Sequence, residues 1–265
     1  MFVRSRGLIR LLLALLLIGT QASAQKGELT IAAASDLSAA FKVLTAEFEK
    51  QTGTHIKTSF GSSGNFYAQI QNGAPFDLFF SADIDYPRKL EAAGLAQPGS
   101  LYKYARGRIV LWVPNGSPID VSKLGMNALL QPSVHKISIA NPEHAPYGRA
   151  AMAAMEHYGL AAKVRDKLVF GENISQATQF IETGNAEIGF SALALALSPA
   201  LIDRGKFWEV PLDAYPPLEQ AAIILSSAKN KSAAGAFISY LKSPAGVAIM
   251  RRYGFVVPGE EVRRP

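Results

Sequence analysis

The sequence predicts an α/β protein of two lobes, each built on a largely parallel sheet. Three observations carry this. Short apolar runs alternate with segments whose apolar residues recur at helical spacing. Glycine, proline or a Ser/Asn/Asp cluster punctuates almost every change between them. The 265 residues, 49% hydrophobic and 18% charged, hold two sets of such units, enough for two compact bodies with a cleft between them. Charge is too sparse for a disordered chain. The absence of cysteine excludes disulfide scaffolds, thiolate metal sites and every Cys nucleophile.

Taken in order, residues 28–34 (ELTIAAA) form a short apolar strand, followed by Ser35-Asp36 and by Leu37, Phe41, Leu44 and Phe48 at helical spacing, stopped at Gly53. Residues 55–60 are strand-like, and Gly61-Ser62-Ser63-Gly64 opens a helix with Phe66 and Ile70. Strand 77–82 (DLFFSA), helix 86–93 and strand 108–113 (RIVLWV) complete the first set. The second set repeats it. Strand 136–140 (KISIA) leads through 141–146 to Tyr147 and an alanine-rich helix, strand 167–170 leads to Asn173 and a helix with Ala177, Phe180 and Ile181, and 188–192 (IGFSA) is a buried strand. Residues 221–225 read as a strand, and 233–241 and 244–252 as helices. Phe79, Phe80, Trp112 and Phe190 lie in strand runs and are expected in the core.

Residues 1–24 are an address rather than part of the fold. Arg4, Arg6 and Arg10 precede the apolar run 11–18, and Ala22-Ser23-Ala24 precedes Gln25, the pattern of a cleaved secretory signal peptide. The run is shorter than the roughly 20 residues of a spanning helix. Loss of its three arginines lowers the formal net charge from +6 to +3, which leaves little support for a nucleic-acid partner. No cysteine follows the signal, so no lipid anchor is expected and the periplasm is the simplest destination.

Four loop-to-helix junctions are chemically alike. Each follows a strand and begins its helix with neutral donors: Ser35; Ser62, Ser63 and Gly64; Tyr147 and Gly148; Asn173, Ile174 and Ser175. Helix starts carry free N–H groups and the positive end of the macrodipole, and ligands of α/β folds gather at the C-terminal ends of strands. Together the four would trap an anion. Taken singly, Ser or Asn at a helix start is ordinarily an N-cap. Asp36 fits a first-turn dipole partner whose carboxylate would repel an anion unless turned away. The Tyr147 phenol is a further donor at the proposed cleft.

Catalytic readings lack machinery. Ser-x-x-Lys occurs at Ser100, Ser226 and Ser239 without the partner motifs of an acyl enzyme. The four histidines form no zinc motif, His144 alone lies near a junction, and no Walker loop, G-x-G-x-x-G or G-x-S-x-G is present. No carboxylate–histidine cluster has the spacing of a cation site.

AAASDL at 32–37, FGSSG at 60–64, GAPFDLFFSAD at 73–83, NPEHAPYG at 141–148 and RRYGF at 251–255 together resemble the periplasmic molybdate-binding proteins of ABC transporters. The resemblance implies a type II periplasmic binding protein, with residues 25–105 and 220–258 as lobe one, 106–219 as lobe two, a hinge between them and a loose tail at 259–265. It implies molybdate or tungstate as ligand, no cofactor and no catalysis. It further implies an inner-membrane ABC permease with its cytoplasmic ATPase as partner, a monomeric receptor, and Ser35, Ser63, Tyr147 and Ile174 as ligand contacts, the last through its backbone amide. Some members add a tyrosine where this chain has Ala192, and Tyr147 stands to supply the phenol instead. A same-fold receptor for another oxyanion such as sulfate, and more distantly a secreted hydrolase, are the alternatives.

Overall fold

A computed structural model describes residues 27–260; the signal segment and residues 261–265 lie outside it. From the N-terminus, β1 (Glu28–Ala34), a 3₁₀ turn (Ser35–Leu37), α1 (Ser38–Thr52), β2 (His55–Gly61), α2 (Ser63–Gln71), β3 (Leu78–Ser81), α3 (Asp85–Ala92) and β4 (Tyr102–Gly107) build the first lobe. The chain then crosses at Arg108 into β5 (Ile109–Pro114), α4 (Val121–Leu124), β6 (Ile137–Ala140), α5 (Pro146–His157), α6 (Ala161–Val164), β7 (Leu168–Gly171), α7 (Ile174–Glu182), β8 (Ile188–Ala192), α8 (Leu193–Ala196) and β9 (Gly205–Glu209). It returns through a segment containing Pro211, Pro216 and Pro217 to β10 (Leu218–Ile224), α9 (Lys231–Lys242) and α10 (Pro244–Arg252).

The two sheets run β2-β1-β3-β10-β4 and β7-β6-β8-β5-β9. Both are mixed, where the sequence alone suggested mostly parallel strands. β1 pairs in parallel with β2 and β3, and β6 with β7 and β8, but β10 runs antiparallel to β3 and β4, and β5 antiparallel to β8 and β9. The reason is the double crossing: β5 and β10 each enter a sheet from the opposite lobe, not through a helix laid on their own sheet, so the right-handed parallel crossover does not constrain them. β4 and β9 are edge strands that the apolar pattern did not announce.

Central strands are apolar on both faces because helices cover both. Leu29, Ile31, Ala32 and Ala33 of β1 are fully buried, as are Phe79 and Phe80 of β3. On one side of the first sheet Phe41, Phe80 and Phe237 meet edge to face, with centroids 5.0–5.8 Å apart, and Phe48 extends the cluster to Phe237 at 5.2 Å. Trp112 and Phe190 anchor the second sheet. The lobes close on one another, so Ala34 and Ala82 of the first lobe pack in one cluster with Ala145, Tyr147 and Ile174 of the second. No described helix is long and apolar enough to cross a membrane.

Candidate functional site

The C-terminal ends of β1, β2 and β3 in one lobe face those of β6 and β7 in the other, and the loops leaving these five strands wall a single small cavity of about 10 Å3. That is below the about 300–1,000 Å3 of a drug-sized pocket, so the cavity suits a solute of a few atoms. Its walls include Ser35, Ser63, Tyr147 and Ile174, all at most 3% exposed. Among the described residues no Lys, Arg or His lines it.

Its donors are set by helix geometry. Asn173 caps α7 by accepting from Ser175 N (3.0 Å) and Gln176 N (3.1 Å), so the Ile174 N–H ahead of them has no intrahelical acceptor. Ser62 caps α2 by accepting from Asn65 N at 3.4 Å. The Gly64 N–H goes across the cleft to His144 O (2.9 Å), leaving the Ser63 N–H as the first free donor of that helix. Pro146 opens α5 without an N–H, and Tyr147 supplies the first amide. Gly148 fits where it does because a Cβ there would lie 2.1 Å from Ala140 O; this lets the turn after β6 fold tightly enough to aim α5 at the cavity.

The two serine hydroxyls are held as donors. Ser63 Oγ accepts from Ala82 N at 2.9 Å and Ser35 Oγ accepts from Ser175 N at 3.3 Å. An oxygen that already accepts a backbone proton has its own hydrogen left to donate. Ser175 Oγ in turn donates to Ser35 O at 2.9 Å, so the α7 start is tied to the turn after β1.

The Tyr147 phenol has a different partner. It donates to Asp36 Oδ2 at 2.9 Å, and Gln220 Nε2 donates to the same carboxylate oxygen at 2.7 Å and lies 3.2 Å from the phenol. Asp36 and Gln220 are fully buried and Tyr147 is 2% exposed. Burial pushes the Asp36 carboxyl from its ordinary 3.8 up to about 6, against the downward pull of the Gln220 and Tyr147 hydrogen bonds. Burial and the neighbouring Asp36 hold the Tyr147 hydroxyl well above the usual phenol range, so it is a neutral donor.

Further pairs span the cleft. His144 Nδ1 lies 2.9 Å from Ser62 Oγ, Asn65 Nδ2 bonds Glu172, and Arg149 bonds Asp83 at 2.6 Å. The four residues taken from the sequence thus stand together, Tyr147 with its phenol on Asp36. Ala192, at the end of β8, is buried and outside the cavity wall. Sequence reasoning missed Gln220, although the signal was there: in LEQAAII it holds an inward position between Leu218 and Ala222, where a polar side chain needs a partner.

Fold and site define a two-lobed solute-binding protein that encloses a small ligand at strand ends and helix starts. The profile of the bacterial extracellular solute-binding proteins matches residues 29–256, and the chain belongs to that family. A protein named molybdate-binding protein ModA from Azotobacter vinelandii is 42% identical over 234 residues, 88% of this chain and 91% of that protein. One of the same name from Rhodobacter capsulatus is 38% identical over 241 residues, 91% of this chain and 93% of that protein. Among solved structures, the periplasmic molybdate-binding protein of Azotobacter vinelandii matches with a TM-score of 0.81 at 38% identity, covering 87% of this chain and 99% of that one. The sulfate-binding protein SubI of Mycobacterium tuberculosis shares the fold, with a TM-score of 0.70 at 17% identity over 88% of both chains.

Proposed function

We propose that this protein binds molybdate, and tungstate with it, outside the cytoplasmic membrane and delivers it to an ABC importer. The observation that carries the reading is the convergence of neutral donors at helix starts, with the Ser35 and Ser63 hydroxyls, on one small cavity free of cationic side chains; the molybdate-binding relatives give the anion its name. In this reading Ser35, Ser63, Tyr147 and Ile174 contact the ion, Tyr147 and Ile174 through backbone N–H groups.

A tetrahedral dianion offers four oxygens and roughly eight acceptor positions. Five to seven charge-assisted bonds, at about 1.5–3 kcal/mol each, exceed the about 8–12 kcal/mol of micromolar to nanomolar binding. The surplus covers lost motion and desolvation. Donors fixed by helix starts do not follow a smaller ion inward, so sulfate would meet stretched bonds, and a protonated phosphate would present a donor to donors. The second lobe closing on the first is a hinge-type population shift that offers the permease, served by its cytoplasmic ATPase, a surface present only in the bound state. The protein acts as a periplasmic monomer after cleavage of residues 1–24, without cofactor and without turnover.

Calorimetric titration of residues 25–265 with molybdate, tungstate, sulfate and phosphate tests this. One site per chain with molybdate and tungstate bound and the other two silent is the expected result. Sulfate binding of equal strength overturns the specificity, and silence from all four overturns the reading. Ser63→Ala should weaken molybdate by about 1–3 kcal/mol, roughly 5- to 150-fold.

A further inference from the structure

We propose that Asp36, Tyr147 and Gln220 are a buried clasp between the lobes, and that the Tyr147 phenol acts on Asp36 to hold the cleft shut without touching the ligand. The inference rests on the oxyanion-receptor reading above and adds positioning residues to it.

Asp36 lies in the turn after β1 and Gln220 in β10, both in the first lobe, while Tyr147 begins α5 in the second. The phenol is therefore the only member that arrives with closure. It reaches the carboxylate at 2.9 Å, alongside the Gln220 amide at 2.7 Å, and all three side chains are sealed from solvent. No described cationic side chain pairs with the carboxylate; its partners are neutral. Opening must take the phenol off Asp36 and expose a carboxylate that closure had dehydrated, so the hydrogen bond is made or lost as the lobes move.

Two features show that space is kept for it. A Cβ on Gly107, at the end of β4 where the chain leaves the first lobe, would lie 2.3 Å from the Tyr147 hydroxyl and 2.7 Å from Gln220 Nε2. Only glycine leaves the clasp its room. The phenol is also carried by the residue whose backbone N–H heads α5, so holding the ring on Asp36 fixes where that N–H points. Asp36 also lines the cavity, with Oδ2 taken by the phenol and the amide and Oδ1 buried without a partner, so the phenol and the amide are what offset its charge beside an anion.

The test is a double-mutant cycle with Tyr147→Phe and Asp36→Ala, read by calorimetry and stopped-flow with sodium molybdate, alongside the melting temperature without ligand. Tyr147→Phe should weaken molybdate and tungstate by the same factor, about 10-fold, through faster dissociation, with the ligand-free melting temperature unchanged. In the Asp36→Ala background the phenol has lost its acceptor, so Tyr147→Phe should then change affinity less than two-fold. Equal losses in both backgrounds would mean that the phenol bonds the ion directly, and overturn the clasp. Should Asp36→Ala not fold, Gly107→Ala serves: it should weaken both anions as Tyr147→Phe does, and unchanged affinity overturns the clasp. Absence of molybdate binding by the wild type would instead sink the receptor reading, which keeps the two failures apart.

Discussion

Asp36 and Asp77 are both buried aspartates of the first lobe, at 0% and 4% exposure, yet the protein treats them oppositely. Asp77 precedes β3 and ties three segments of its own lobe together. One carboxylate oxygen accepts from Thr30 N (2.7 Å) and Thr30 Oγ1 (2.8 Å), the other from Lys229 N (2.7 Å) and Asn230 N (3.3 Å). Burial pulls its pKa up, and these four donors together pull it further down, so the carboxyl titrates below its ordinary value. Asp36, facing the cleft, has the Gln220 amide from its own lobe and the Tyr147 phenol from the other, and burial wins. A carboxylate inside a rigid body is fully satisfied at all times. One placed on a moving interface depends on closure for part of its satisfaction, and that dependence makes it able to respond to motion.

The largest effect is expected at Asp77. Asp77→Ala leaves several backbone donors unpaired inside the first lobe and should cost about 3–5 kcal/mol of stability by denaturant unfolding, lowering the melting temperature with and without ligand. A loss under about 1 kcal/mol would show that the staple is dispensable.

Acid separates the two aspartates next. The Asp36 pKa is raised from 3.8 to about 6, so the folded form binds this proton more tightly than the unfolded chain does. Its contribution is fully present below pH of about 4 and is lost as pH rises through about 6, amounting to about 3 kcal/mol. Asp77, with a lowered pKa, contributes above its ordinary 3.8 and loses its share below that. Neighbouring Tyr104 and Tyr147 are held protonated by burial and by Asp36 itself, so they do not titrate in this window. Melting temperatures of the molybdate-bound protein from pH 4 to 8 should fall with rising pH more steeply in the wild type than in Asp36→Asn, and parallel curves would remove Asp36 as the source.

Two glycines sharpen the contrast between lobe and interface. A Cβ on Gly64 would lie 2.6 Å from His144 O and 2.9 Å from its Cα, backbone atoms of the other lobe. Gly64→Ala should therefore prop the cleft and weaken molybdate by about 1–3 kcal/mol, with the ligand-free melting temperature kept. Gly148→Ala would instead strike Ala140 O within the second lobe and should lower that temperature. The reverse assignment of the two effects would place closure elsewhere. Smallest of all, Arg149→Ala removes a partly exposed ion pair to Asp83 across the cleft and should change affinity by less than about 1 kcal/mol, less still in high salt.

Much of this was written in local pattern. Apolar runs at 28–34, 77–82, 136–140 and 188–192 became β1, β3, β6 and β8 because central strands under two helical layers must be apolar throughout. The four helix starts were legible as Ser, Gly, Pro and Asn after strands, since capping is a property of a few consecutive residues. Edge strands were not: β4 (YKYARG) and β9 (GKFWE) mix polar and apolar residues because one side meets solvent. Nor were the antiparallel pairings of β5 and β10, which follow from where the chain re-enters each sheet.

The partnership of Asp36 with Tyr147, 111 residues away, and with Gln220, 184 away, belongs wholly to the folded, closed molecule. Residue order carried the fold, the family and the donors that face the cavity, because each is encoded within one strand–turn–helix unit. The choice of whether the Tyr147 phenol or its backbone amide points at the cavity was left to the tertiary structure, because a hydrogen bond between lobes exists only once both lobes have folded and met.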